Sequence, residues 1–151
     1  AFKRLGPDTL APFRANWGHA NRSTMAPPLP ARGGGTRLEV RVGDGAANPY
    51  LVIPAPLAAQ LHGLVRKLEA PKAAAGMAYD NEDAPTLPAT FTEALDALEA
   101  NERMREHMST GLIGIFLTMK RDEIERYNAA VPDPSTRDVT DWEIKEYLED
   151  Y

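Results

Sequence analysis

The apolar periodicity of this chain changes once, and that change constrains the fold more than any other feature. In the segment Thr36-Arg37-Leu38-Glu39-Val40-Arg41-Val42, charged and aliphatic side chains alternate. From Asn48 onward the spacing is three and four, as in Leu57, Leu61, Leu64, Val65 and Leu68. A strand projects successive side chains to opposite faces, whereas a helix gathers residues three and four apart on one face. Strands first and helices after predict an α+β class: antiparallel strands at the N-terminal end, then a mostly helical part.

Residues 1–43 are expected to supply strands, 48–69 a helix, 70–89 a surface connection rich in Pro, Ala and acidic residues, and 90–151 further helices. Arg14 to Thr24 is the expected partner of the alternating strand. Between them, Pro27-Pro28-Leu29-Pro30-Ala31-Arg32-Gly33-Gly34-Gly35 is expected to be a loop, because it combines missing donors with a permissive backbone. Asn48 before Pro49 is a helix-start signal. Pro54 and Pro56 would each cost ~3 kcal/mol in a helix interior, so the regular helix is expected to start after Pro56 or to kink there. Thr90-Phe91-Thr92-Glu93 and Thr140-Asp141-Trp142-Glu143 are capping boxes. Asn101 is expected to cap a short helix carrying Met104 and Met108. Ser109 or Thr110 then opens a longer one with Ile113, Phe116, Leu117, Ile124 and Tyr127 inward.

The 151 residues suit one domain. With no cysteine, disulfide scaffolds, thiolate zinc sites and cysteine nucleophiles are excluded. The longest apolar stretch, Gly111 to Thr118, is far short of the ~20 residues a membrane span needs, so a cytoplasmic protein without a membrane partner is expected. Charge is divided unevenly. Residues 1–41 carry seven basic side chains (Lys3, Arg4, Arg14, Arg22, Arg32, Arg37, Arg41) against Asp8 and Glu39, while the remainder is strongly acidic. A basic third beside an acidic remainder implies that the basic part meets anions and the rest is a solvated helical surface. Nucleic acid fits poorly: Phe2, Phe13 and Trp17 are not interleaved with arginines as a base-stacking platform, and the acidic part would repel a polyanion.

On a strand, Arg37, Glu39 and Arg41 share one face in steps of about 6–7 Å. A carboxylate between two guanidiniums suits a site where Mg²⁺ and phosphoryl oxygens sit side by side, with Glu39 on the metal and the arginines on the anion. The same pattern also describes a solvated outer face with ion pairs worth about 0–1 kcal/mol. Arg4 and Arg22 are further candidates that pattern alone leaves as surface arginines. His19, His62 and His107 show no metal-ligand spacing and are expected to be structural. Ser23 lacks a histidine partner pattern, and Gly33-Gly34-Gly35 lacks the strand-to-helix setting of a phosphate loop.

Several blocks taken together carry a resemblance. Phe2-Lys3-Arg4-Leu5, Ala11-Pro12, Trp17-Gly18-His19-Ala20-Asn21-Arg22-Ser23, Arg37-Leu38-Glu39-Val40-Arg41 and Ala46-Ala47-Asn48-Pro49-Tyr50-Leu51 are similar to the C-terminal part of the catalytic domain of the glutamine synthetase superfamily. The ending Thr140-Asp141-Trp142-Glu143-Ile144-Lys145-Glu146-Tyr147 resembles it too. The resemblance implies an ATP- and Mg²⁺-dependent (or Mn²⁺-dependent) ligase joining glutamate to ammonia or an organic amine through γ-glutamyl phosphate. It implies that Arg4 and Arg41 bind glutamate, that Arg22 lies near the transferring phosphate, that Arg37 binds ATP phosphate and that Glu39 holds a metal. It also implies a homo-oligomeric ring for the full-length parent and, with the abrupt start at Ala1, a C-terminal fragment that is inactive alone.

Two positions depart from the family pattern. Leu10 stands where ammonia-using members carry a glutamate that shields the site, which suits a larger organic amine. Pro27 stands where they carry a second phosphate-binding arginine, and Gly34 replaces a basic residue. Those losses also suit an alternative, a non-catalytic relative kept for assembly or regulation.

Overall fold

The computed structural model describes residues 2–6, 9–29 and 33–149. Strands β1 (Pro28–Leu29) and β2 (Arg37–Leu38) precede helices α1 (Pro49–Val52), α2 (Pro54–Val65), α3 (Phe91–Glu99), α4 (Glu102–His107), α5 (Thr110–Ala130) and α6 (Asp141–Ile144), the last running on into a π-helical turn. The architecture is therefore α+β, with antiparallel strands first and helices after.

The strands pair Pro28 with Leu38 and Leu29 with Arg37. Hydrogen bonds carry the pairing further, since the Glu39 N–H donates to the Pro27 carbonyl at 3.2 Å and the Arg41 N–H to the Met25 carbonyl at 3.0 Å. The return bonds do not form, for a chemical reason. Pro27 has no N–H to give, and the Met25 N–H is directed to the Asn16 side chain at 3.3 Å. Beyond the paired residues Arg37 and Leu38, the chain thus continues to Arg41 as an extended segment held from one side rather than as a full strand. Two expectations change with it. The partner is residues 25–29 and not Arg14–Thr24, and Pro28–Leu29 of the expected loop is strand. Pro30, Ala31 and Arg32 of that loop lie outside the described residues.

Residues 13–23 have a different task. The Ala15 N–H donates to the Pro85 carbonyl and the Leu87 N–H to the Phe13 carbonyl, both at 2.8 Å. Trp17 Nε1 donates to the Pro71 carbonyl at 2.7 Å and Asn21 Nδ2 to the Gly76 carbonyl at 2.8 Å, while Ser23 Oγ accepts the Ala78 N–H at 2.8 Å. Side chains of one irregular segment thus satisfy backbone groups of another that has almost no regular structure of its own. The approach is close at Gly18, where a Cβ would stand 2.8 Å from the Ala74 carbonyl oxygen.

The helices begin where local chemistry directs. The Asn48 side chain accepts the Tyr50 N–H at 2.9 Å. Both capping boxes close, at Thr90–Glu93 and Thr140–Glu143, and Asn101 and Ser109 cap α4 and α5. The proline expectation shifts by three residues: the break falls at Ile53 and α2 starts at Pro54. Pro54 and Pro56 then occupy the first turn, where N–H groups have no intrahelical partner to lose.

Leu95, Ile113 and Leu117 form the buried core between α3 and α5, with Phe91, Leu98, Met104, Met108, Phe116 and Ile124 packed around it. The periodic face of α2 is outside this core. Leu57 is 57% exposed and Leu64 77%, and the one buried residue of the helix is Ala58. Leu38 and Val40, the aliphatic side of the alternating segment, are exposed as well.

The N-terminal 3₁₀ turn, Phe2–Arg4, is tied to the other end of the chain. Lys3 Nζ donates to Glu143 Oε2 at 2.7 Å, to the Asp138 carbonyl at 2.8 Å and to the Tyr127 hydroxyl at 3.1 Å. Burial alone would push the ammonium down, but the bonds to Glu143 and Tyr127 outweigh it and leave Lys3 raised above its ordinary value. Burial likewise works against the Glu143 carboxylate, and the bonds from Lys3 and Thr140 outweigh it and hold Glu143 below its ordinary 4.5. A lowered carboxylate contributes stability above its unfolded pKa and loses it as pH falls through the folded one. The raised lysine contributes below its ordinary 10.5 and loses that contribution as pH rises through the folded value. Replacing Lys3 with Met should therefore lower stability at pH 7 by about 1–3 kcal/mol and flatten the fall below pH ~4.5. Thermal melts from pH 3 to 7 check this, and equal acid slopes in both proteins would count against the tether.

Candidate active site

The extended pairing with residues 25–29 sets Arg37, Glu39 and Arg41 along one face at every second residue. Glu39 Oε1 lies 3.3 Å from Arg41 Nε, with the Arg41 side chain 23% exposed and that of Glu39 40%. Arg41 Nη1 is buried and has no hydrogen-bond partner among the described residues. A solvated outer face would not bury a guanidinium nitrogen. The charged side of this segment is in fact no more open than its aliphatic side.

Arg4 joins this pair through the backbone. Its Nη2 donates to the Gly43 carbonyl at 2.6 Å and to the Arg41 carbonyl at 3.4 Å. The Lys3 tether thus fixes the turn from which Arg4 reaches the end of the segment. Arg37 is exposed, its Nη1 donating to the Gly35 carbonyl at 3.1 Å. Arg22 is exposed in the turn that leads to Met25, the residue opposite Arg41, and no hydrogen bond or ion pair holds it among the described residues. Arg4, Glu39 and Arg41 are brought together; Arg37 shares their face, and Arg22 stands apart at its edge.

The two departing positions have distinct settings. Leu10 is 87% exposed, with its carbonyl accepting the Tyr79 hydroxyl at 3.0 Å. Pro27 is fully buried directly across from Glu39. Cross-strand partners share a face, so Pro27 fills space beside the carboxylate with an apolar ring.

Glu39 offers the hard oxygen donor that Mg²⁺ or Mn²⁺ prefers. Among the described residues no two other metal-ligating side chains gather around it. The donor chemistry fits one ligand of such a site, and the rest of the coordination would come from outside these residues.

Three contributions escaped the sequence reading. Lys3 and Asn16 position the site through partners far away in the chain, and no local pattern marks such pairs. His62 and His107, expected to be separate structural residues, meet across α2 and α4 with Nδ1 and Nε2 3.2 Å apart. Only His19 remains alone of the three, exposed and edge-on to Trp17.

Comparison with known proteins identifies similar chains. A family model described as the glutamine synthetase catalytic domain matches residues 1–147. Glutamine synthetase of Methanococcus maripaludis is 34% identical over 98% of this chain and 33% of its own length. Gamma-glutamylethanolamide synthetase GlnA4 of Streptomyces coelicolor is 33% identical over 99% of this chain and 30% of its own length. A solved GmaS/ADP complex has a TM-score of 0.70 at 31% identity, covering 92% of this chain and 30% of that one. The chain spans about a third of the length of the curated relatives it matches. With the residue blocks, the strand-then-helix order and the family match in agreement, the chain belongs to the glutamine synthetase catalytic-domain family.

Proposed function

We propose that the protein carrying this chain is an ATP- and Mg²⁺-dependent (or Mn²⁺-dependent) glutamate–amine ligase working through γ-glutamyl phosphate, with residues 1–151 as the C-terminal portion of its catalytic domain. The observation that carries this reading is the buried Arg41 Nη1 without a partner among the described residues, beside Glu39. An unsatisfied donor away from water costs about 1–3 kcal/mol, more for a charged group, so it is retained where a ligand supplies the acceptor. Arg41 and Arg4 are assigned to the carboxylates of glutamate. Arg37 is assigned to ATP phosphate, Arg22 to the phosphoryl group in transfer and Glu39 to the divalent metal. When bound, that metal neutralises phosphate charge and orients the oxygens. The terminal phosphoryl group of ATP passes to the γ-carboxylate of glutamate, leaving ADP. The amine nitrogen then attacks the acyl carbon, the C–O bond to phosphate breaks and the amine loses its proton. Positioning and charge neutralisation by arginines dominate such chemistry. The solved relative in complex with ADP supports the nucleotide assignment.

The acceptor is read as an organic amine. An exposed apolar Leu10 offers no carboxylate to shield ammonium or take its proton, and one relative is named for ethanolamide synthesis. The reading includes a cytoplasmic homo-oligomeric ring, and a chain of 151 residues that is inactive alone because Glu39 lacks co-ligands among the described residues. None of its described helices is long and apolar enough to cross a membrane. Phosphate release by the intact protein with ATP, Mg²⁺ and glutamate is the test, comparing ammonium with a panel of amines. Stimulation by one organic amine at least tenfold above ammonium is expected. The second reading, a non-catalytic assembly or regulatory relative, is favoured by Pro27 packed where an arginine would reach phosphate. No release with any acceptor from a folded oligomer would select it.

A further inference from the structure

We propose that His62, His107 and Glu106 form a zinc site that staples α2 to α4, separate from the Glu39 site. One nitrogen from each histidine and one oxygen of Glu106 lie within 4.8 Å of one another. His62 Nδ1 is 3.2 Å from His107 Nε2 and 3.7 Å from Glu106 Oε2. Two nitrogens each ~2.05 Å from a tetrahedral zinc ion lie ~3.3 Å apart, so the spacing of the imidazoles is already that of a coordinated pair. The rings are half-buried and inclined at 68°, with centroids 5.4 Å apart, so both point edge atoms at the same spot.

The carboxylate is held in place as well. Arg66 Nη2 donates to both oxygens of Glu106 at 3.3 Å. An outer partner of this kind orients a ligating carboxylate while leaving a lone pair free. Two imidazoles and one carboxylate suit Zn²⁺ and leave a fourth position for water. On binding zinc each ring would present the lone pair of its inward nitrogen, Nδ1 of His62 and Nε2 of His107, and carry its proton on the outward one. The donor set differs from the oxygen chemistry around Glu39, so Zn²⁺ is the expected occupant here and Mg²⁺ is not. The occupied site would pin α2, whose leucine face has little other anchorage in this chain.

Equilibrium dialysis of the intact protein against Zn²⁺ tests this, with His62→Gln, His107→Gln and Glu39→Ala compared with wild type. Each glutamine variant should lose one zinc equivalent, or bind it at least tenfold more weakly, while Glu39→Ala keeps it. Co²⁺ loaded into the wild type should show intense tetrahedral d–d absorption that both glutamine variants lack. Zn²⁺ should raise the melting temperature of the wild type and leave those variants unmoved, which also reports that they fold. Equal zinc stoichiometry and affinity in wild type and both histidine variants would overturn the site and leave the pair a plain N–H···N bond between helices. Because none of these readouts uses turnover, the result stands apart from the ligase reading.

Discussion

Phosphate release by the intact protein should fall at least about a thousandfold when Glu39 becomes alanine, as expected if a ligand of a charge-neutralising metal is worth several kcal/mol in the transition state. The reason the loss should be chemical rather than structural lies in the surroundings of the side chain. Glu39 is 40% exposed at its side chain and pairs with Arg41 at 3.3 Å. Half-open pairs of this kind contribute about 0–1 kcal/mol to folding. The backbone bond from Glu39 to Pro27 survives any substitution except proline. Melting should therefore move little while turnover collapses. Glu39→Gln, which keeps the shape and removes the charge, should be nearly as inactive, and raised Mg²⁺ should recover part of the rate in Glu39→Asp. Turnover unchanged in Glu39→Ala would remove this strand from the site.

How much of this was legible depends on distance along the chain. Caps at Asn48, Thr90, Asn101, Ser109 and Thr140 all form because a cap is a contact between residues two or three apart. The alternation at 37–42 named the residues that share a face. Its partner was hidden, since prolines argue against a strand and Pro27–Pro28 sit inside the true one. The α2 stripe was legible as a helix face. Periodicity tells which residues lie together and is silent on what covers them, and in this chain Leu57, Leu61 and Leu64 are left exposed. Residues 70–89 read as a connection by composition; their hydrogen bonds to Asn16, Trp17, Asn21 and Ser23 span more than fifty residues and leave no periodic trace. The site divides the same way. Arg37, Glu39 and Arg41 stood out by spacing, whereas Arg4 and Arg22 entered only through resemblance to a family. That Lys3 holds the turn carrying Arg4 required the fold itself.

Arg41 offers the sharpest separation of function from stability. Its Nε pairs with Glu39, while Nη1 is buried with no acceptor among the described residues. If glutamate supplies that acceptor, the free protein bears the cost of an unsatisfied charged donor so that substrate can be recognised. Arg41→Met removes the donor and keeps much of the apolar stem, so melting should be unchanged within ~1 kcal/mol or rise. Arg4 would keep its anchor, because it bonds to the carbonyls of residues 41 and 43 rather than to the Arg41 side chain. Glutamate KM should nevertheless rise about a hundredfold, in line with ~3 kcal/mol for a charge-assisted pair with a carboxylate, while the KM for ATP stays within a factor of about three. Arg41→Lys should recover only part of the loss, since an ammonium cannot reproduce the planar fork. A merely structural arginine would give the opposite pattern: a lower melting temperature, with glutamate and ATP affected alike. Steady-state kinetics in both substrates beside a melting curve therefore decide whether the buried nitrogen waits for a carboxylate or packs the strand.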